Sequence, residues 1–262
     1  DAGNALATKG CFWPKVVYGK LFLLHPEMRQ WEKIIYLDTD VLVRKDINAL
    51  TNYPCFAARK ETMGHNLLYQ FLPDLEYCST YHKNELGKLQ QKYDFKETSF
   101  NVGVMVIPTH QNTEKNFMEV VKLANELYGF AYFPEQAVLN LFFYKKWSNI
   151  PYIYNDVYAH DTFNQKGYWG RSSDQDAVIL HCVGSPKPWE PTSQYFAEWN
   201  RNLQDAEMLF NIEQVGTAPT QKSIDKVERI NAMNSNLGKW NRFLWKCKRL
   251  ALILMNKQSV VK

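Results

Sequence analysis

The sequence predicts an α/β layered fold, and three observations predict it. Short apolar runs at 33–37, 100–107 and 178–181 read as buried strands. Between the last two, residues 112–128 and 134–146 carry apolar side chains at helical spacing. Strands thus alternate with helices, the signature of a layered α/β domain.

Element by element, residues 14–30 read as one helix, with Pro14 in the first turn and Val17, Leu21, Leu24 and Met28 recurring along one side. Lys33-Ile34-Ile35-Tyr36-Leu37 follows as a buried strand whose carboxyl end carries Asp38-Thr39-Asp40. Val41-Leu42-Val43 continues extended, and 44–52 form a polar turn and short helix. Phe56-Ala57-Ala58 is a short strand. Residues 60–98 are polar and aperiodic, a long loop with one helix near 84–92. Phe100 to Ile107 is the next strong strand, with Asn101 and Gly103 near its start. Phe117, Val120, Val121, Leu123 and Leu127 give 112–128 an apolar stripe. Pro134 opens 134–146, whose apolar side holds Val138, Leu139, Leu141 and Phe142. Tyr152 to Tyr154 reads as a short strand, and Val178-Ile179-Leu180-His181 as a buried one ending in a histidine. Beyond Trp189 the chain turns polar, helical in places and broken at Gly216-Thr217-Ala218-Pro219. It closes on a basic amphipathic helix over 239–255. The expected division is a domain over 1–190 and a helical extension over 191–262.

Composition narrows the function classes. With 262 residues, 45% hydrophobic and 22% charged, the chain is long enough to bury a core and is not a disordered polymer. Aromatics reach 15%, which fits core packing or a groove for a flat ligand. The net charge of +4 misleads: residues 239–262 carry seven basic side chains and no acid, leaving 24 basic against 27 acidic residues elsewhere. A nucleic-acid partner is therefore not expected, since phosphate binding needs a basic face on the folded body. Five cysteines without C-x-x-C spacing argue against a zinc cluster or a disulfide framework. No Asn-x-Ser/Thr sequon occurs, and both facts lean toward a reducing compartment, the cytoplasm. No apolar run approaches the roughly 18 residues of a membrane span. No signal peptide opens the chain, although it begins with Asp1 rather than Met, which leaves the Golgi lumen open if an anchor precedes it.

Five constellations could carry chemistry. Asp38 and Asp40, two residues apart at a strand end, can reach one hard divalent cation or simply cap a turn. His181, Gly184 and Lys187 at i, i+3 and i+6 suit a metal ligand, a backbone donor and a cation around a diphosphate. The competing reading is a Pro188-Trp189 turn packed on the core. Asn101 and Gly103 in a buried strand mark either a ligand approaching the backbone or a β-bulge. Glu135-Gln136 lies one turn into a helix, where a Glu also favours the N-terminus. Lys20 on a helix is either a site cation or a solvated side chain.

Taken in order, these blocks resemble the glycogenin-like, family 8 glycosyltransferases. The likeness runs through Tyr18-Gly19-Lys20-Leu21, then Lys33–Val43 with Asp46-Ile47 behind it, then Phe100-Asn101-Val102-Gly103-Val104 and Glu135-Gln136-Ala137-Val138-Leu139-Asn140. It ends in His181-Cys182-Val183-Gly184-Ser185-Pro186-Lys187-Pro188-Trp189, and covers about residues 11–190. The resemblance implies a GT-A-type nucleotide-sugar fold and a manganese-dependent hexosyl transfer from a UDP-sugar with retained anomeric configuration. Carried onto this chain, Asp38, Asp40 and His181 look like the metal ligands. Lys187 and the Gly184 backbone would hold the diphosphate, and Lys20 would lie near the phosphates or donor sugar. Asn101, Glu135 and Gln136 would line the donor sugar and acceptor as the catalytic residues, and Gly103 would help bind the donor. The acceptor would be a carbohydrate, polyol or protein hydroxyl.

The chain also departs from glycogenin itself. Glycogenin carries Asp-Gln where this chain has Glu135-Gln136, a pair that resembles the galactinol synthase branch and other relatives. Tyr158 and Tyr168 are out of register with the self-glucosylated tyrosine, so self-priming is not expected. The strand–helix units that bind uracil and ribose have no counterpart before Asp38, which predicts weak donor binding and an apolar edge on a parallel sheet. A non-catalytic relative serving as a sugar- or protein-binding scaffold is the alternative. A metal-dependent hydrolase lacks the extra ligands a two-metal site wants. The 239–255 helix would rest on a protein partner or an anionic membrane surface, or dock on its own domain.

Overall fold

The computed structural model describes residues 15–61, 66–71, 80–128, 131–157, 174–183 and 186–210. Contacts divide the chain into two units. One comprises Asp1–Asp38 and Asp46–Tyr154, the other Thr39–Lys45 and Asn155–Lys262.

The first unit is built on a sheet of β1 (Lys33–Leu37), β3 (Ala57–Lys60), β4 (Phe100–Pro108) and β5 (Ser148–Asn149), in the order β1-β4-β3-β5. The central strand β4 buries eight of its nine residues, which is why its sequence is continuously apolar rather than alternating. The sequence leads one to expect a parallel sheet. Instead β4 pairs antiparallel with both β1 and β3, while β3 and β5 pair parallel. An apolar run reports burial on both faces and carries no information about strand direction.

Two helices cover β4. In α2 (Glu114–Leu127), Thr113 caps the N-terminus by accepting from the Asn116 amide, and Val120, Leu123, Ala124 and Leu127 are buried one turn apart. In α3 (Pro134–Phe142), Pro134 supplies the first turn. That helix stops short of 146, and Lys145 beyond it has φ 57°. The core joins both helices to the sheet, with Phe56 stacked on Phe143 at 3.8 Å between ring centroids. A further helix, α1 (Thr80–Gln90), falls in the long polar stretch.

Two expectations fail here. The described part of the 14–30 stretch is not one α-helix but two 3-10 helices, Lys15–Leu24 and Pro26–Gln30. Pro26 cannot continue the preceding hydrogen-bond ladder, and Val16, Val17 and Gly19 weaken the helix before it. Tyr152–Tyr154 is a 3-10 turn rather than a strand. The sheet's last strand comes earlier, at Ser148–Asn149, where the Ser148 and Ile150 amides donate to the Phe56 and Ala58 carbonyls.

The second unit centres on a two-stranded antiparallel ribbon, β2 (Val41–Val43) against β6 (Ile179–His181), with Val41 opposite His181. Leu42, Ala177, Leu180, Cys182 and Tyr195 form its core, with Trp199 packed against them. Trp199 belongs to α4 (Phe196–Phe210). Arg44 ties this helix to the ribbon, donating from Nε and Nη2 to the two Glu198 carboxylate oxygens at 2.7 Å each. The expected helix at 239–255 lies outside the described residues. Among the described residues, no helix is long and apolar enough to cross a membrane.

Candidate active site

In the first unit, β1 delivers Asp38. Its backbone amide donates to the Gly103 carbonyl at 2.8 Å, extending the β1–β4 ladder by one bond. Its carboxylate accepts from the Tyr36 hydroxyl at 2.7 Å and lies 2.8 Å from the Lys20 ammonium. Tyr36 reaches it because residues two apart on a strand share a face. The Lys20 ammonium also lies 3.4 Å from Glu135 and 5.5 Å from the Tyr36 ring centroid. It is therefore not a solvated helical lysine: Lys20 and Glu135 are each only 13% exposed. Burial pushes the Glu135 carboxyl above its ordinary value, and the Lys20 charge pulls it partly back.

Gly103 sits in a β-bulge. Between Ala58 and Arg59 of β3, the partner on β4 jumps from Met105 to Asn101, so Val102, Gly103 and Val104 face no residue of β3. Side chains satisfy the freed backbone groups. Asn101 Oδ1 accepts from the Gly103 amide at 2.8 Å, Gln136 Oε1 from the Val102 amide at 3.2 Å, and Asn140 Oδ1 from the Phe100 amide at 2.9 Å. Gln136 Nε2 in turn donates to Gln70 and Glu61, at 2.9 and 3.2 Å. Gln70, Gln136 and Glu61 are all buried. The bulge reading of Asn101-Val102-Gly103 therefore describes the β3 edge of the strand, while on its other edge the Gly103 carbonyl accepts from Asp38.

In the second unit, β2 and β6 deliver Asp40 and His181. The Cys182 amide donates to the Asp40 carbonyl at 2.8 Å, which fixes the turn leading into β2. His181 Nε2 lies 3.2 Å from Asp40 Oδ1, and the Lys187 ammonium is bonded to Asp40 Oδ2 and to the Cys182 carbonyl. Burial works against the Asp40 carboxylate, but its bonds to His181 and Lys187 and their charges outweigh it. The group is held well below the usual carboxylate range. On the other side of the ring, His181 Nδ1 lies 2.8 Å from Asn155 Oδ1. Gly184, Tyr158 and Tyr168 lie outside the described residues.

The residues the sequence reading missed are Tyr36, Glu61, Gln70, Arg44 and Asn155. Only Tyr36 had a signal, its place two residues before Asp38. The others meet their partners across 26 to 154 positions, beyond any local pattern.

Solved structures resemble this fold. The WbbM bifunctional glycosyltransferase matches with a TM-score of 0.54 at 17% identity, over 87% of this chain and 40% of that one. The glycosyltransferase GlyE of Streptococcus pneumoniae matches with a TM-score of 0.51 at 17% identity, over 77% and 49%. The fold is of the GT-A type. Among curated proteins, galactinol synthase 2 of Arabidopsis thaliana is 28% identical over 205 residues, 71% of this chain and 55% of its own length. Lipopolysaccharide 1,2-glucosyltransferase of Escherichia coli is 25% identical over 224 residues, 82% and 60%. The chain thus spans little more than half the length of these relatives. Residues 4–193 match the profile of glycosyl transferase family 8. With nearly three quarters of its length inside that profile, the chain belongs to glycosyl transferase family 8.

Proposed function

We propose that this chain transfers a hexosyl group from a UDP-sugar to a hydroxyl of a carbohydrate or polyol, with retention at the anomeric carbon and with the help of a divalent cation. A protein hydroxyl is a further acceptor within the same chemistry. The observation that carries the reading is the Asp40 carboxylate gripped by the His181 imidazole and the Lys187 ammonium.

In the second unit Asp40 and His181 bring a carboxylate and an imidazole together, and the family resemblance implies Asp38 as a further carboxylate ligand. That mixed oxygen and nitrogen set suits manganese better than calcium, which prefers oxygen alone. Bound there, the cation would act as a Lewis acid, balancing the negative charge that builds on the leaving diphosphate. Lys187, anchored on the Cys182 carbonyl, places a second positive charge beside Asp40 for the same phosphates, and the resemblance would add the Gly184 backbone as a donor. Lys20 supplies a cation among Asp38 and Glu135, toward the phosphates or the donor sugar.

Glu135 has the chemistry for the sugar itself. As the glycosidic carbon loses its phosphate it gains oxocarbenium character, and a buried carboxylate stabilises that charge. Asn101, Gly103 and Gln136 shape the donor-sugar wall. Asn101 and Gln136 act through the bulge they brace, since Gln136 is only 5% exposed. The names of the relatives support a hexose and a polyol or saccharide acceptor: one is a galactinol synthase, the other a glucosyltransferase acting on lipopolysaccharide.

The test is a panel of UDP-hexoses with Mn2+, read by UDP release and product formation. Release that EDTA stops and added Mn2+ restores is the expected result. No release from any UDP-sugar, together with no binding of UDP and Mn2+ by calorimetry, would leave the scaffold reading in its place.

A further inference from the structure

The second unit holds a buried residue that the proposed chemistry does not use directly. Asn155 is fully buried, His181 is 3% exposed, and Asn155 Oδ1 lies 2.8 Å from His181 Nδ1. We propose that Asn155 is a positioning residue that fixes the tautomer and ring orientation of His181, so that Nε2 presents its lone pair on the Asp40 side. The inference rests on the metal-site reading above.

A carbonyl oxygen can only accept, so the ring nitrogen facing it must carry the proton. With Nδ1 protonated toward Asn155, a bound cation takes the place of the Nε2 proton that faces Asp40, and the neutral imidazole offers its lone pair there. Nε2 is the nitrogen 3.2 Å from Asp40 Oδ1, the side on which a shared cation would be bound. Metal-ligating histidines generally need such an outer partner to hold the ring and its tautomer.

The backbone makes the partner rigid. Asp156, next to Asn155, forms a parallel bridge with Leu180. The Asp156 amide donates to the Ile179 carbonyl at 2.9 Å, and the His181 amide donates to the Asp156 carbonyl at 2.8 Å. The segment carrying Asn155 is thereby laced onto the strand that carries His181. Asn155 and the ring it orients ride on one hydrogen-bonded element, and β2 locks the other edge of that strand through the Val41–His181 pair.

The arrangement predicts a contrast between two substitutions. Asn155→Asp keeps an acceptor against Nδ1, whereas Asn155→Leu keeps the approximate volume and removes it. Mn2+ affinity, read by the electron paramagnetic resonance of the free ion, should fall about 10-fold or more in Asn155→Leu. In Asn155→Asp it should stay near the wild-type value. A second readout uses the unaltered protein loaded with diamagnetic Cd2+: long-range 1H–15N spectra should show His181 protonated at Nδ1.

Equal Mn2+ affinity in Asn155→Leu and wild type would overturn the proposal. So would an Nε2-protonated His181 in the Cd2+-loaded wild type, a result that needs no variant to fold. If wild type itself binds no Mn2+, the metal-site reading fails first, and that outcome is distinct from either of these.

Discussion

Asp38 and Asp40 are two residues apart, yet the two units hold them in different ways. Asp38 ends a strand of a four-stranded sheet, and its neighbours Lys20, Gly103 and Glu135 come from a 3-10 helix, a bulged strand and a helix start. Asp40 opens a three-residue strand on a two-stranded ribbon, and its partners His181 and Lys187 follow within one short stretch. The first cluster mixes one cation with two carboxylates. The second surrounds one carboxylate with an imidazole and an ammonium. On the proposed function the difference is a division of labour: the compact ribbon would gather charge for the diphosphate, and the large sheet with its bulge would shape the place of the sugar.

The sharpest way to break this comparison is Lys187→Met. If charge on the ribbon stabilises the leaving diphosphate, UDP release should fall on the order of 100-fold while Mn2+ binding persists. An equal loss of both would mean that Lys187 builds the site rather than serving the phosphates.

Next comes the sheet. Gln136→Leu strips partners from the Val102 amide, Gln70 and Glu61 together, all within the buried network under the bulge. Denaturant unfolding should show a loss of about 3 kcal/mol. A loss under about 1 kcal/mol would show that the bulge holds without its brace.

Smaller again is Arg44→Met, which removes the two-pronged bond to Glu198 on the ribbon's own helix. Partly exposed charge pairs are screened, so a cost of about 1–2 kcal/mol is expected, shrinking in high salt.

The smallest effect is a sign. Burial raises the Glu135 pKa in the folded state, so the proton is bound more tightly there than in the unfolded chain. That contribution to stability is complete below the ordinary glutamate value of about 4.5 and is lost as pH rises through the folded pKa. Glu135→Gln, which cannot ionise, should therefore gain stability relative to wild type at pH 7 compared with pH 4. Unfolding curves at the two pH values that show the opposite order would mean that Lys20 outweighs burial.

How much of this was legible in the sequence follows from the range of each interaction. The strand ending at His181 was readable because buried strands are continuously apolar; the one ending at Leu37 was readable from the same kind of run although its residues are only half-buried, and with the two came Asp38, Asp40 and His181. The amphipathic stripe of α2 was readable for the same local reason. Strand direction was not, since β4 looks alike in a parallel or an antiparallel sheet. The two-residue β5 is too short and polar to carry a pattern. The hydrogen bonds of Gln136 to Gln70 and Glu61, and of His181 to Asn155, depend on tertiary placement that no spacing encodes. The family motifs marked Gln136 and Asn101 as site residues; only the structure shows that their amides brace a bulge.

The central claim is that Asp40 and His181 hold a divalent cation that serves a sugar transfer. One titration tests it most directly: Mn2+ binding to wild type and to Asp40→Asn, followed by electron paramagnetic resonance, with UDP release from UDP-sugars measured on the same samples. The account predicts saturable Mn2+ binding in wild type, weakened on the order of 100-fold in Asp40→Asn, with UDP release lost in parallel. Unchanged Mn2+ affinity in Asp40→Asn, or UDP release that persists in the variant without the metal, would contradict it.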